Sequence, residues 1–343
     1  LALAGADGAA RLRDVRNGQG FALQPRGHTS ALAFSPGDRL LATGGGRPDQ
    51  AGSGESDVYL WDLTAPDPST APVILANDDR VNRLAFSPDG RWLAAGRARS
   101  LKAALWDLGQ ENRPCLTPDL GQWAFLAAFD PFSRWMAIPG SNSLLLWDLN
   151  RSNPCADPFR LAQHQTLLSG LTVSPDASLL AAASVDGRLS TWSMANLYAS
   201  PTVLRGHDGT IDALAFTADS RTLVSVGDDR MPRLWGRPFV PAEPRVLNPQ
   251  ARRCISPLGR TEMGELQLWS IHGADLASDC RALGLEATPT WIAFSPDDRW
   301  LASYDESGVV KLRSRAGDFS APPSELSHGD ATLNATPVFT PDG

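Results

Sequence analysis

The sequence has few cysteines, no long apolar run and no excess of positive charge, and each absence excludes a class of protein. Four cysteines among 343 residues are too few for a disulfide framework. No apolar stretch reaches the roughly 18 residues that a membrane-spanning helix needs. The 31 basic residues are outnumbered by 38 acidic ones, and clusters of basic residues are missing. We therefore expect neither a nucleic-acid partner nor a membrane partner.

The cysteines are far apart in sequence, and none belongs to a C-x-x-C motif; they are Cys115, Cys155, Cys254 and Cys280. Cys115 and Cys155 both follow a proline, eight or nine residues after a tryptophan, which makes them equivalent loop positions in neighbouring repeats. We interpret them as reduced loop thiols in a cytoplasmic protein. A zinc or redox site is the alternative interpretation.

Two phrases recur along the chain with a period of about 43 residues. The first is an apolar segment followed by Ser-Pro-Asp-Gly or a related tetrapeptide, as at residues 86–90 and 294–297. The second ends each unit with Leu-Trp-Asp or a related tripeptide; its six tryptophans are Trp61, Trp106, Trp147, Trp192, Trp235 and Trp269. The repeats therefore define the organisation of the chain.

The first phrase is typical of a tight turn between two short strands. Pro88 presets φ at the second position of a type I turn, and Asp89 and Gly90 suit the third and fourth positions. The flanking runs of four to six apolar residues predict antiparallel strands. A further turn and a polar, proline-rich loop separate two more strands in each unit. Four strands per repeat of this length are typical of a β-propeller blade.

One segment carries a family resemblance. Arg205-Gly206-His207, Leu214-Ala215-Phe216, Ser225, Asp229 and Leu234-Trp235 together resemble one complete WD40 repeat. The resemblance implies an all-β WD40 β-propeller. The count of eight first-strand phrases and eight strand-ending phrases predicts eight four-stranded blades. Within it, the repeats look like those of bacterial proteins in which WD40 arrays follow STAND-type NTPase or Ser/Thr kinase domains.

The two chain ends supply complementary parts of one repeat. Leu1–Gly5 resembles residues 92–96, the strand after the first turn, whereas the chain ends inside that turn at residues 341–343. We therefore expect residues 1–343 to form one propeller, with one blade split between residues 1–16 and 325–343. Seven blades with leftover strands are the alternative. Because the sequence begins at Leu1, we also expect it to be a piece of a longer protein.

His207, Ser225 and Asp229 are the residue types of a catalytic triad, but the resemblance implies another role. In WD40 repeats this set, with Trp235, forms a structural hydrogen-bond chain. The Asp binds the His, and the Ser links the His ring to the indole N–H. A hydrolase would need an exposed nucleophile and an oxyanion hole, and no G-x-S-x-G motif occurs. We predict that these residues stabilise the blade and do not catalyse.

The sequence suggests no cofactor, no metal site and no catalytic residue. The five histidines are dispersed and none forms H-x-x-x-H. The glycine-rich stretch at residues 44–54 lacks the spacing of a phosphate-binding loop.

Several residues at strand starts and second turns are candidates for contact with a partner. Trp123 and Phe125 stand where other repeats have polar or small residues, and exposed aromatic residues of this kind are enriched in interfaces. Core packing is the alternative for these two. The full candidate set is Arg80, Asn82, Trp123, Phe125, Asp212, Asp228 and Glu306.

These observations predict a non-catalytic protein-interaction platform, or the sensor module of a larger bacterial signalling protein. Its partner would be another protein or a neighbouring domain of the same chain. One alternative is a propeller enzyme of the lactonase or hydrolase type, but no recurrent set of carboxylates or metal ligands supports it. The other alternative is a structural spacer.

Overall fold

The computed structural model describes most of the chain. The residues outside the description are 6, 15–19, 26–27, 47–56, 78, 98–99, 111–114, 118, 122–126, 142, 152, 156, 164–165, 218, 230–232, 240–244, 247–266, 270–279, 283–290, 296–298, 305–308, 315–323, 328–332 and 341–343. Every regular element of the described part is a β-strand. None of this part forms a helix of the length and apolarity that crossing a membrane requires.

The strands form eight antiparallel sheets, numbered here in chain order. Sheet 1 contains β1 (Ala2–Gly5), β2 (Ala10–Arg13), β3 (Gly20–Leu23) and the last strand, β30 (Leu333–Val338). Sheet 2 contains β4 (Thr29–Phe34), β5 (Leu40–Gly45), β6 (Val58–Asp62) and β7 (Val73–Leu75). Sheet 3 contains β8 (Val81–Phe86), β9 (Trp92–Arg97), β10 (Ala103–Asp107) and β11 (Cys115–Leu116). Sheet 4 contains β12 (Ala128–Phe129), β13 (Trp135–Pro139), β14 (Ser143–Asp148) and β15 (Phe159–Gln163).

The other four sheets are built from strands that follow one another in the chain. Sheet 5 contains β16 (Leu168–Val173), β17 (Leu179–Ser184), β18 (Arg188–Ser193) and β19 (Thr202–Arg205). Sheet 6 contains β20 (Ile211–Phe216), β21 (Thr222–Gly227), β22 (Arg233–Gly236) and β23 (Arg245–Val246). Sheet 7 is described only as β24 (Gln267–Trp269) and β25 (Cys280–Ala282). Sheet 8 contains β26 (Trp291–Phe294), β27 (Trp300–Tyr304), β28 (Val309–Ser314) and β29 (Ser324–Ser327).

These sheets confirm the predicted fold class, which is all-β with repeated four-stranded antiparallel blades. The chain divides into two compact units. One holds Leu1–Ala127, Trp147–Pro158 and Ala293–Gly343, and the other holds Ala128–Leu146 and Phe159–Ile292. That residues 1–343 form a single propeller stays a prediction.

Sheet 1 joins the two ends of the sequence. β1 pairs antiparallel with β30, with Ala2 opposite Val338 and Ala4 opposite Ala335. At the other edge of β1, the Leu1 and Arg13 backbones exchange two hydrogen bonds, 2.8 and 3.0 Å long. The terminal strands therefore complete a four-stranded sheet and are not left over, as the seven-blade alternative would require.

The first turn forms as its sequence predicts in sheets 2 to 6. In sheet 3 the Gly90 N–H donates to the Ser87 carbonyl at 2.8 Å, which closes the turn. Gly90 has a φ of 72°, a conformation that glycine adopts without steric cost. The Ser87 hydroxyl accepts a hydrogen bond from the Trp92 N–H at 2.9 Å. The turn thus fixes the register of β8 against β9.

The core lies between neighbouring sheets of one unit. The second strand of sheet 3, Trp92–Arg97, is buried along its whole length, because it is central in its sheet and packed on both faces. In the first unit, Leu60 and Val58 of sheet 2 pack with Leu93 and Trp106 of sheet 3. In the second unit, sheets 5 and 6 share a core in the same way.

Two of the cysteines depart from expectation. Cys115 of β11 and Cys155, in the loop after β14, form a disulfide with a Cα–Cα distance of 5.9 Å. The prediction of reduced thiols at these positions is therefore wrong. The start of β11 in sheet 3 and the loop after β14 meet, so two cysteines 40 residues apart in sequence come within bonding distance. Cys254 and the side chain of Cys280 lie outside the described residues.

Candidate functional site

Sheet 6 brings together the four residues of the WD40-like set. His207 lies in the loop that leads into β20, Ser225 on β21, Asp229 in the turn after β21 and Trp235 on β22. The antiparallel order of the strands places these four side chains, which are spread over 29 residues of sequence, at one side of the sheet.

Their polar atoms form a continuous hydrogen-bond chain. Trp235 Nε1 donates to Ser225 Oγ at 2.8 Å, and Ser225 Oγ lies 2.7 Å from His207 Nε2. At the other side of the ring, His207 Nδ1 lies 3.0 Å from Asp229 Oδ1. Asp229 Oδ2 also accepts the Asp208 N–H at 2.9 Å. Every buried polar atom named here therefore has a partner, as the interior of a protein requires.

Arg233 is a fifth member that the sequence analysis missed. Its Nη1 lies 2.6 Å from Asp229 Oδ2 and 2.8 Å from His207 Nδ1. The Arg233 side chain is 9% exposed, and that of Asp229 is 10% exposed. The available signal was a cation two residues before the repeat tryptophan, where other repeats carry uncharged residues such as Tyr59 or Ala104.

The surroundings of His207 keep its ring neutral. Its pKa is lowered from the ordinary value, chiefly because burial disfavours the charged ring and also because Arg233 repels a second positive charge. The hydrogen bond to Asp229 acts in the opposite direction. A neutral imidazole donates from one nitrogen and accepts at the other, which suits its place between Ser225 and Asp229.

The same geometry makes a poor site for hydrolysis. Ser225 is wholly buried and His207 is 8% exposed, so a substrate carbonyl has no path to the Ser225 hydroxyl. That hydroxyl already accepts the indole N–H of Trp235. A triad needs an accessible nucleophile beside an oxyanion hole. This arrangement instead holds two strands and a turn in register.

The lowered pKa of His207 predicts acid sensitivity. In the unfolded chain a histidine titrates near pH 6.5, whereas folded His207 resists protonation. Below about pH 6.5 the unfolded state therefore binds an extra proton, and the free energy of unfolding should fall as the pH drops from about 7 to 5. Urea unfolding at a series of pH values measures this slope. His207→Gln should flatten it, and an unchanged slope in that variant would contradict the assignment.

Other repeats keep only part of the chain. Trp61 Nε1 donates to Thr43 Oγ1 at 2.9 Å, and Thr43 occupies the position that Ser225 holds in sheet 6. In sheet 3 this position is Ala95. The indole N–H of Trp106 is buried there without a hydrogen-bond partner. The residue nine positions after the phenylalanine of the first strand thus decides whether the indole N–H has a hydrogen-bond partner. A hydroxyl at this position accepts the hydrogen bond, and alanine does not.

Restoring that hydroxyl should stabilise the protein. Ala95→Ser places an oxygen where Ser225 stands relative to Trp235, and we expect a gain of about 1 kcal/mol in the free energy of unfolding. Ala94→Ser is the matched control, because neighbouring strand residues face opposite sides and its hydroxyl would be buried without the indole. That control should lose stability. Equal effects of the two substitutions in urea unfolding would refute the explanation.

The structure places Asn82 and Asp212, two of the candidate partner residues, at equivalent positions. The register of the first strand against the second shifts between Val81 and Arg83 in sheet 3, and between Ile211 and Ala213 in sheet 6. Such a β-bulge leaves one residue unpaired and re-aims its side chain. Ser30 and Ser169 occupy the same position, and each donates its hydroxyl to a carbonyl of the next sheet, Val81 and Ile211 respectively.

Asp212 and Asp228 are both exposed at one end of sheet 6. The pKa of Asp212 is raised, because partial burial disfavours its charge and the Asp228 carboxylate repels it. Asp228 lies beyond β21, where its backbone N–H donates to the Thr210 carbonyl at 2.8 Å. Arg80 is exposed just before β8. Trp123, Phe125 and Glu306 lie outside the described residues, so their placement stays a prediction.

The described residues contain no group of three or more metal-binding side chains. Exposed charged residues stand at these strand ends within each unit: Arg80 in one unit, and Asp212 and Asp228 in the other.

Comparison with known proteins agrees with this geometry. The family model for the WD domain, G-beta repeat, matches residues 72–107, 158–193 and 199–236. The nuclear distribution protein PAC1 of Arthroderma otae is 29% identical over 215 residues, which cover 53% of this chain and 45% of that protein. The small ribosomal subunit protein RACK1y of Oryza sativa subsp. japonica is 29% identical over 175 residues, 49% of each chain. The chain thus spans about half the length of these curated relatives.

A solved structure extends the comparison to the fold. A chain in the crystal structure of the mitotic checkpoint complex superposes with a TM-score of 0.58 and 16% identity, covering 83% of this chain and 90% of that one. At this identity the likeness shows the fold alone.

Proposed function

Because the chain belongs to the WD40-repeat family, we propose that it works as a non-catalytic platform for binding another protein or a neighbouring domain of the same chain. The observation that carries this proposal is the repeated placement of exposed charged residues at equivalent strand ends of paired antiparallel sheets. Arg80, Asp212 and Asp228 are exposed there. The relatives belong to the same repeat family, in which assembly with other proteins is the common role.

The wider setting belongs to the proposal as well. We propose that the platform senses a partner within a larger bacterial signalling protein, as the resemblance of its repeats to arrays behind NTPase or kinase domains suggests. The domain order of the full-length gene product tests this directly. An NTPase or kinase domain on the same polypeptide would support it, and a chain with no effector domain would count against it.

Site-specific photo-crosslinking in the native cells tests the platform function. A benzoylphenylalanine at position 80 or 212 of the full-length protein should form an adduct with another protein or with a distant domain of the same chain. The same probe at position 325 is the control, because Glu325 is exposed on the last strand of sheet 8. No adduct at 80 or 212, or adducts equally abundant at 325, would overturn the proposal.

The enzyme alternative has its own measurement. If the Ser225 hydroxyl were a nucleophile, Ser225→Ala would abolish a hydrolase activity of the wild-type protein while leaving it folded. We expect no such activity to be lost and a lower melting temperature, because the variant removes the acceptor of the Trp235 indole N–H.

A further inference from the structure

Two aliphatic side chains are exposed together at one end of sheet 5. Leu167 is 57% exposed and Val185 is 40% exposed. The Val185 N–H donates to the Leu167 carbonyl at 3.0 Å, so the two residues are directly opposite each other just beyond the paired ends of β16 and β17. Side chains at such positions point to the same face and lie about 5 Å apart.

The neighbouring repeat shows that polar residues suit this position. In sheet 6 the equivalent pair is Thr210 and Asp228, joined by the same backbone hydrogen bond, 2.8 Å long. Sheet 5 instead presents apolar surface to solvent, and neither side chain belongs to the core clusters of its unit. The two side chains together form a small exposed apolar surface.

Acidic residues border this aliphatic pair. Thr210 Oγ1 donates to the Val185 carbonyl at 3.3 Å, which brings the end of sheet 6 against that of sheet 5. Asp228 Oδ2 accepts the Thr210 N–H at 3.2 Å, and Asp208 and Asp212 are exposed at the same end of sheet 6. No described residue forms an ion pair with Asp208, Asp212 or Asp228. We call Leu167, Val185, Asp208, Asp212 and Asp228 the aliphatic–acidic surface.

We propose that the aliphatic–acidic surface binds a segment of a partner protein that carries lysine or arginine close to an aliphatic residue. This inference rests on the proposed platform function and names the chemistry of the partner. The aliphatic group of the segment would cover Leu167 and Val185. Its cation would lie at Asp212 and Asp228, which repel each other in the free protein.

Charge complementarity argues for this occupant over others. An anionic segment, or a phosphate group, would add to three uncompensated carboxylates and be repelled. A purely apolar segment would leave those carboxylates desolvated and unpaired, which is costly. Burial and, to a lesser extent, repulsion by Asp228 raise the pKa of Asp212, and a cation beside this carboxylate would offset both.

The experiment selects peptides without assuming a sequence. Random 12-residue peptides displayed on phage are selected against the full 343-residue chain, and synthetic copies of the enriched peptides are measured by fluorescence anisotropy. We expect lysine or arginine within a few positions of leucine, isoleucine, valine or methionine. Affinity should fall as the salt concentration rises.

Variants then locate the bound peptide. The double variant Asp212→Asn/Asp228→Asn and the single variant Leu167→Ser should each weaken binding about tenfold. Asparagine keeps an oxygen that accepts the Thr210 N–H, so the double variant should fold. Glu325→Gln and Ile74→Ser are the matched controls, because they remove one exposed charge and one exposed aliphatic group elsewhere. Their affinities should stay within about twofold of the wild type.

Three results would overturn the inference: enrichment of acidic or neutral peptides, binding that is insensitive to the variants of this surface, or no enrichment above background. None of them decides the platform function, which the crosslinking at position 80 tests separately. If adducts form at position 80 while peptide binding is insensitive to the variants of the aliphatic–acidic surface, the protein is a platform that uses another surface.

Discussion

Asp229→Ala should lower the free energy of unfolding by about 3–5 kcal/mol, the loss expected when one partner of a buried ion pair is removed. Asp229 Oδ2 lies 2.6 Å from Arg233 Nη1, and Asp229 Oδ1 lies 3.0 Å from His207 Nδ1. The substitution therefore removes the carboxylate from a largely buried guanidinium and from the imidazole at once. Urea unfolding followed by circular dichroism measures the loss.

Asp228→Asn is the matched control for this prediction. It changes the neighbouring aspartate, which is exposed, and should alter stability by about 0.5 kcal/mol or less. The double variant Asp229→Ala/Arg233→Leu should recover part of the loss, because it also removes the buried charge. If Asp229→Ala is no more damaging than Asp228→Asn, the hydrogen-bond chain does not hold sheet 6 together.

Removing the disulfide should have the second-largest effect. The bond closes a loop of 40 residues, and loops of this size restrict the unfolded chain enough to stabilise the folded state by about 2–4 kcal/mol. Cys115→Ser/Cys155→Ser should lower the free energy of unfolding by that amount. The local consequence is specific, since the described part of β11 pairs with β10 at Leu116 and at Cys115 itself.

Dithiothreitol supplies the control for the disulfide. It should lower the melting temperature of the wild type and leave that of the double serine variant unchanged, which separates this bond from any effect on the other two cysteines. Equal shifts in both proteins would contradict the prediction.

Disulfides persist mainly in oxidising compartments, so this bond and the predicted cytoplasmic location make opposite demands on the redox environment. Trapping free thiols in the native cells measures which of the two holds.

Much of the fold could be predicted from the sequence, because it depends on short-range backbone preferences that recur from repeat to repeat. The turn at residues 87–90 follows from Pro88 and Gly90, whose backbone preferences act without tertiary contacts. The pairing of β1 with β30 was also predictable, since the two ends of the sequence supply complementary parts of one repeat. The relation of His207, Ser225, Asp229 and Trp235 could be inferred only through a family resemblance.

Other features depend on which repeats become neighbours in space. Arg233 was missed, because a charged residue in a predicted strand is expected to be exposed. Only the packed structure shows that its side chain is buried. The disulfide was missed, because 40 residues of separation say nothing of distance until the loops of successive repeats are placed side by side. The exposure of Leu167 and Val185 was not predicted, because in the sequence both look like ordinary apolar residues at the end of a strand.

The sequence by itself therefore determined the repeat, the turns and the strand order, since each depends on local backbone preferences and apolar periodicity. Only the tertiary structure decided which polar groups are buried, which cysteines meet and which aliphatic side chains remain exposed. Burial and contact are properties of the packed chain, because they depend on what the neighbouring sheets cover.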